Sequence, residues 1–415
     1  MNEATTTYVR QHADDNVRQL ALCGSKNPEV DLPQALQQIA GRQTARQKLP
    51  TWAAHDGILY PPHLSMEQCS SEPTARYKQS VCRALFASMC CDSSGSVCHD
   101  SIATQQPLVD LTGGFGVDFS FLATLFKKAV YVERQEELCN LARHNLDVLG
   151  LEHAEVVCAD STDYLHHLDS ASLIFVDPAR RDAHGGRTYG IADCTPDVLT
   201  LRDELLQKAH FIMLKLSPML DWHKTVEDLG TQWVREVHIV ATGGECKELL
   251  IVLSAKESRP LRLICVNDDE QWEVPQASST REQADNTPAQ PTLQEATYLY
   301  EPNATIMKAG CFSELSTAFG VAPLAQNSHL FTADRLISDF PGRRFKVLNT
   351  SSMNKHELKE KVLPLRQANI TTRNFPLSVA ELRKRLKLSD GGRNYIFATT
   401  LADNSHVLII CQQVF

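Results

Sequence analysis

Between Pro107 and Ser254 the chain alternates short apolar runs, many of them β-branched, with amphipathic stretches of helix length. The runs fall at 108–111, 129–132, 155–158, 173–176, 211–216, 234–240 and 248–253. Runs of this kind suit strands buried on both faces, and helix-length spacers suit crossover connections, so five parallel strands with helices between them are implied. The last two runs are separated only by residues 241–247, too few for a crossover helix, and should pair as an antiparallel hairpin. A dehydrogenase half-fold would add another helix and parallel strand instead. The sequence therefore predicts an α/β fold built on a seven-stranded, Rossmann-like sheet that closes with a hairpin.

The flanks read differently. Residues 1–98 space apolar positions as helices do, at 35–39 and 75–89 for example, and form a helical N-terminal domain. The sheet domain then spans 99–260. Residues 261–317 open with a second hairpin (261–266 and 271–274) and continue into a polar linker, 276–290. From 318 to 415 the order is strand 345–348, helix 356–363, strand 368–373, helix 379–386 and strands 395–400 and 406–411, a small α+β domain.

No apolar stretch approaches the roughly 20 residues needed to cross a bilayer. The first residues carry Glu3, Arg10, Asp14 and Asp15 rather than a secretory h-region, which points to the cytoplasm. The 13 cysteines are then free thiols, and no Cys-x-x-Cys or His-Glu-x-x-His spacing suggests a metal. Charge is unevenly distributed. Residues 330–393 hold 14 Lys and Arg against 6 Asp and Glu, whereas the whole chain carries −9. Such a patch is the footprint of a polyanion-binding module, and its candidates are Arg343, Arg344, Lys346, Arg383, Lys384, Arg385 and Lys387. The last four also sit where a helix C-terminus already favours cations.

The run at 108–111 leads directly into Thr112-Gly113-Gly114-Phe115-Gly116-Val117-Asp118 and then a helical pattern. Glycines here let a ligand approach the backbone and the helix N-terminal N–H groups. The dinucleotide fingerprint fails because its third small residue would be Phe119, and the P-loop fails for want of Gly-Lys-Ser/Thr. Asp110 and Asp118 flank the turn, and carboxylates repel a pyrophosphate but attract a cation. Glu133 ends the second run at the position from which a carboxylate can bind ribose hydroxyls, and Asp160 follows the third, within reach of an adenine amine.

Ribose, adenine and a positive charge point to S-adenosylmethionine, and residues 107–254 resemble the class I S-adenosylmethionine-dependent methyltransferases. The likeness rests on the Asp110-to-Gly116 turn, Val132-Glu133-Arg134, Ala159-Asp160-Ser161, Asp177-Pro178-Ala179-Arg180 and the closing hairpin. It implies a sheet order of 3-2-1-4-5-7-6. It also implies a cofactor site of Asp110, Thr112, Gly113, Gly114, Phe115, Gly116, Asp118, Glu133, Arg134, Asp160 and Ser161. Residues 49–78, Tyr300-Glu301-Pro302-Asn303, Phe340-Pro341-Gly342-Arg343 and 382–388 are further similar to class I methyltransferases of Bacteroidetes that carry a ferredoxin-like insert and a C-terminal THUMP-like domain. That resemblance implies a ferredoxin-like segment at 261–317, a THUMP-like one at 318–415, and structured RNA, tRNA or rRNA, as the partner.

Methyl transfer from a sulfonium is an in-line displacement that depends on alignment. The candidate catalytic residues end the fourth strand: Asp177 and Pro178 as hydrogen-bond acceptors for a base amine, and Arg180, or Arg181, as a stacking plane or phosphate clamp. The amine-methylating pattern Asp/Asn-Pro-Pro-Tyr/Phe ends in an aromatic residue, and Ala179-Arg180 departs from it. Tyr189 is a candidate replacement. Cys194 and Cys246 are the nearby cysteines available for covalent catalysis at pyrimidine carbon 5, and both read better as packing residues. Polar residues 67–72 read either as part of the catalytic mouth or as a helix start with Ser65 and Gln68 in a capping box. RNA methylation is the leading expectation. Methylation of a protein or small molecule, and RNA binding by a non-catalytic chain that keeps the cofactor, are the alternatives.

Overall fold

The computed structural model describes residues 1–87, 106–180, 190–256, 259–275, 293, 298–325 and 327–415. The expected linker at 276–290, Arg181 and Tyr189 lie outside them, as does the side chain of Arg180. Two compact units divide the chain: Met1–Val237 with Glu248–Leu261, and His238–Lys247 with Arg262–Phe415.

The first unit opens with helices α1 (Glu3–Gln11), α2 (Val17–Cys23), α3 (Leu32–Lys48), α4 (Pro50–Ala53), α5 (His63–Gln68) and α6 (Glu72–Ala87). Asn2, Asn16 and Asp31 cap the first three by accepting first-turn N–H groups. Helix α5 starts at His63 behind Pro62 without a side-chain cap, so Ser65 lies inside it and the expected capping box does not form. The helices share cores with the sheet. Val81, Cys82, Leu85 and Phe86 of α6 pack with Phe119, Phe175 and Phe211, and Phe86 meets the Phe211 ring edge-on at 5.3 Å.

The sheet region runs β1 (Leu108–Asp110), α7 (Val117–Ala123), β2 (Ala129–Glu133), α8 (Glu136–Val148), β3 (Ala154–Cys158), α9 (Ser161–His167) and β4 (Ala171–Val176). A short pair follows, β5 (Ala179–Arg180) with β6 (Cys194–Thr195), then α10 (Val198–Lys208), β7 (Ala209–Leu216), α11 (Trp222–Leu229), β8 (Val234–Thr242) and β9 (Glu245–Leu253). A further hairpin, Arg262–Asn267 with Glu270–Glu273, extends the sheet beyond β8 to nine strands, two more than the sequence predicts. The spatial order of the other seven is β8-β9-β7-β4-β1-β2-β3. This is the 3-2-1-4-5-7-6 order, with β9 antiparallel to β7 in the register Leu216↔Leu249 and the pairs from β7 through β3 parallel. The chain leaves β1 for β2 on one side and later returns to β4 on the other, and ligands of open α/β sheets bind at the strand ends beside such a switch.

The outer ends of β8 and β9, His238–Lys247, belong to the second unit. It continues with the hairpin β10 (Arg262–Asn267) and β11 (Glu270–Glu273), then β12 (Tyr298–Pro302), α12 (Ala304–Ala309), α13 (Phe312–Phe319), β13 (Ala322–Pro323) and β14 (Phe331–Ala333). The remainder is β15 (Gly342–Ser351), α14 (Lys355–Glu357), β16 (Asn369–Arg373), α15 (Val379–Leu386), β17 (Asn394–Thr400) and β18 (His406–Val414). A seven-stranded sheet of order β13-β14-β12-β15-β18-β17-β16 results. Ile396 and Ile410 pack with Leu382 and Leu386 of α15, whereas Phe397 and Ile409 pack with Phe345 and Leu299, so alternate residues of β17 and β18 serve separate cores. The helix expected at 356–363 is broken: α14 passes into a π turn at Leu358–Val362 and a 3-10 turn at Leu363–Leu365. Pro364 has no N–H to continue the α-helical ladder.

Candidate functional site

The turn after β1 can be built only from glycine where it touches β2. A Cβ on Gly113 would lie 2.1 Å from Cε2 of Tyr131, whose ring is fully buried. The Gly113 N–H donates to the Val132 carbonyl at 2.9 Å, and the Tyr131 hydroxyl donates to the Gly114 carbonyl, which fixes the turn against the neighbouring strand. Gly116, at φ 85°, enters α7 in the left-handed conformation. Phe115 points away from the turn: its ring is buried 4.9 Å from that of Trp52, among Ala45, Leu49, Val117 and Phe121. Trp52 donates in turn from Nε1 to Ser120 Oγ at 3.2 Å.

Acidic groups surround this turn. Glu133 accepts from the Gly114 N–H at 3.1 Å and from the Gln135 N–H at 2.9 Å. Asp160 caps α9, accepting from the Thr162 N–H at 2.8 Å, with Ser161 as the first helical residue. Arg134 is exposed beyond the end of β2. Asp110 is 1 % exposed and accepts from the Thr112 N–H at 2.9 Å. Burial, reinforced by the nearby Asp118 and Asp177 carboxylates, pushes its pKa up to about 8. The Thr112 hydroxyl accepts the backbone N–H of Asp177 at 2.7 Å, so it bridges the glycine turn and the end of β4.

Behind Asp177 lies a set of charges that sequence reasoning missed. Lys215 of β7 reaches Asp177 Oδ2 at 2.5 Å and Asp118 Oδ2 at 3.5 Å. Asp118 also accepts from Ser70 Oγ at 2.6 Å and meets Lys78 Nζ at 3.2 Å, and Lys78 binds both Glu248 oxygens at 2.7 and 2.6 Å. Burial opposes charge on Lys215, but Asp177, Asp118 and Glu248 outweigh it and hold the ammonium above the ordinary lysine range. For Asp118, Lys78 and Lys215 likewise overcome burial and lower its pKa, whereas burial prevails at Glu248 and raises it. Asp118 therefore faces two lysines, and the attraction for a cationic ligand expected of it is already spent on them. One signal was available in the sequence: Lys215 interrupts the otherwise apolar run 211–216.

The remaining candidates separate into two groups. Pro178 and Cys194 are buried, and Cys246 donates to the Ala304 carbonyl at 3.4 Å. In the second unit, Arg343 and Arg373 both engage Glu301, which is 4 % exposed, and Arg344 donates to the Ser338 carbonyl. Arg383 donates to Asp390 at 2.6 Å. Lys346 is exposed on β15, and Lys384, Arg385 and Lys387 are exposed at the C-terminal end of α15. Among the described residues no group of three or more His, Cys, Asp or Glu is placed to hold a metal, and no helix is long and apolar enough to cross a membrane.

Comparison with known proteins decides the family. A crystallised methyltransferase candidate from Porphyromonas gingivalis W83 is 32 % identical, with 99 % of this chain and 98 % of that one covered at a TM-score of 0.82. The chain belongs to its family, the class I S-adenosylmethionine-dependent methyltransferases with ferredoxin-like and THUMP-like domains. The family's appended domains are matched at residues 298–341, described as a ferredoxin-like domain, and at 342–413, described as THUMP domain-like. Uncharacterized S-adenosylmethionine-dependent methyltransferases from two strains of Mycobacterium tuberculosis are 24 % identical over 327 residues, 78 % of this chain and 80 % of theirs. The residues present fit the family's cofactor: an open, side-chain-free turn at Gly114, where a Cβ would have no neighbour nearer than 3.7 Å, the Glu133 carboxylate bonded to that residue's N–H, and a buried acid, Asp110, that a nearby cation would help to ionise.

Proposed function

We propose that this methyltransferase modifies a base in structured RNA, tRNA or rRNA, by direct in-line transfer. The observation that carries the catalytic part is the Thr112 hydroxyl, which joins the glycine turn to the Asp177 backbone and sets the donor site and the end of β4 at a fixed separation. In this reading Glu133 binds the ribose hydroxyls, Asp160 the adenine amine, and Asp110, Thr112, Gly113, Gly114 and Gly116 line the rest of the donor. Phe115 supports the turn from behind through Trp52. When bound, S-adenosylmethionine supplies an electrophilic methyl group on a sulfonium. Asp177, 38 % exposed, accepts a hydrogen bond from the nucleophile and passes its proton to solvent, while the Pro178 carbonyl aligns it. Arg180 offers a guanidinium plane where the amine-methylating pattern has an aromatic ring.

The RNA part is supported by the THUMP domain-like match and by the exposed Lys384, Arg385 and Lys387 at one helix end. Nucleoside mass spectrometry of RNA from cells with and without the protein tests it. One methylated nucleoside should disappear with the gene and return when purified protein and S-adenosylmethionine are added to that RNA. An unchanged profile together with methylation of a protein or small molecule would reject the RNA assignment.

A further inference from the structure

A lysine within a buried strand needs a reason. Lys215 lies on β7 between Leu214 and Leu216, with its side chain 12 % exposed, where a methionine would pack without the cost of burying a charge. Its ammonium reaches two carboxylates, Asp177 at 2.5 Å and Asp118 at 3.5 Å, and the cluster extends to Lys78 and Glu248. Lys78, Asp118 and Glu248 are at most 9 % exposed on their side chains, so Asp177 is the one carboxylate of the cluster open enough to meet a substrate.

We propose that Lys215 is the positioning residue of the transfer site, holding the Asp177 side chain while Thr112 holds its backbone. The proposal rests on the reading of Asp177 as the group that meets the methyl acceptor. Lys215 is neither base nor nucleophile here, because the carboxylates around it retain its proton. Two anchors, one on the Asp177 amide and one on its carboxylate, leave the acceptor oxygen a single direction. Without Lys215, Asp177 keeps only the first anchor and Asp118 keeps Lys78 and Ser70.

The test uses full-length protein carrying Lys215→Met, Lys215→Arg, Asp177→Asn, or Lys215→Met with Asp177→Asn. Binding of S-adenosylhomocysteine is measured by calorimetry, methyl transfer with tritiated S-adenosylmethionine and RNA from cells lacking the protein, and stability by urea unfolding. Lys215→Met and Asp177→Asn should each lower kcat by roughly 100-fold, with KM and S-adenosylhomocysteine affinity within about 3-fold of the parent. The double variant should lose no more than either single one, and Lys215→Arg should recover at least about a tenth of the parent kcat. A Lys215→Met enzyme that keeps half its kcat, losses that multiply in the double variant, or donor affinity that falls in step with kcat would overturn the proposal. If the parent methylates no RNA, the RNA assignment fails and the urea cycle decides for Lys215. A double-variant loss clearly smaller than the summed single losses supports the pair, and additivity refutes it.

Discussion

The Tyr131 ring occupies the space that any side chain at position 113 would need, with Cε2 only 2.1 Å from where a Cβ would sit. The ring cannot withdraw readily, since it is fully buried, packs edge-on against Phe119 at 5.6 Å and is tied through its hydroxyl to the Gly114 carbonyl. Gly113→Ala should therefore cost about 1–3 kcal/mol in urea unfolding, as overpacked cores do. It should also weaken S-adenosylhomocysteine binding by about 10-fold or more in calorimetry, a loss of roughly 1.4 kcal/mol.

Asp110 makes stability depend on pH. Its folded pKa of about 8 lies above the ordinary value of 3.8, so between those values the folded chain holds a proton that the unfolded chain has released. Its contribution is most favourable at low pH, declines by about 1.4 kcal/mol per pH unit through that window, and levels off above pH 8. Asp110→Asn removes this decline. Urea unfolding of both proteins at pH 5, 6, 7 and 8 should give stability curves that diverge in favour of the variant as pH rises. Because a cation favours the ionised acid, affinity for the methyl donor should rise from pH 6 to 8 in the parent and stay flat in the variant.

Trp52 supports the donor turn from outside the sheet. Trp52→Ala should cost about 3–5 kcal/mol by removing a buried indole next to Phe115 and its hydrogen bond to Ser120. Trp52→Phe should retain most of the stability, and comparison of the two urea midpoints measures how much the ring contact contributes.

Two basic groups in the second unit should respond differently to substitution. Replacing exposed Lys384, Arg385 and Lys387 together by alanine should leave unfolding nearly unchanged while lowering the salt slope of RNA binding by about 2 in fluorescence anisotropy. Arg343→Ala should act on stability, because buried Glu301 then relies on Arg373. The expected loss is about 1–3 kcal/mol, less than for a fully buried pair since Arg343 is half exposed.

The order of the main strands in the first unit was legible because most of them are short apolar runs and the crossovers have helix length, whereas the two-residue pair β5–β6 left no such signal. The closing hairpin at 234–253 distinguished the sheet from a dehydrogenase half-fold on spacing alone. What the sequence hid depends on distance along the chain. Lys215 meets a partner 38 residues away and Lys78 one 170 residues away, and no local pattern records such pairings. The glycine turn was legible as backbone, but not the direction of Phe115, which is set by the buried helical layer around Trp52. Arg343 was legible as a cation, whereas its engagement with Glu301 follows from a strand register, Glu301↔Arg343, that composition does not specify.

The hydroxyl of Thr112 has a consequence for how this enzyme can diversify. One oxygen fastens the glycine turn to the backbone of Asp177, so neither can be displaced without dragging the other. On the proposed roles of these residues, new acceptors are most easily accommodated by changing the chain downstream of Pro178, where Ala179 and Arg180 already break with the amine-methylating pattern.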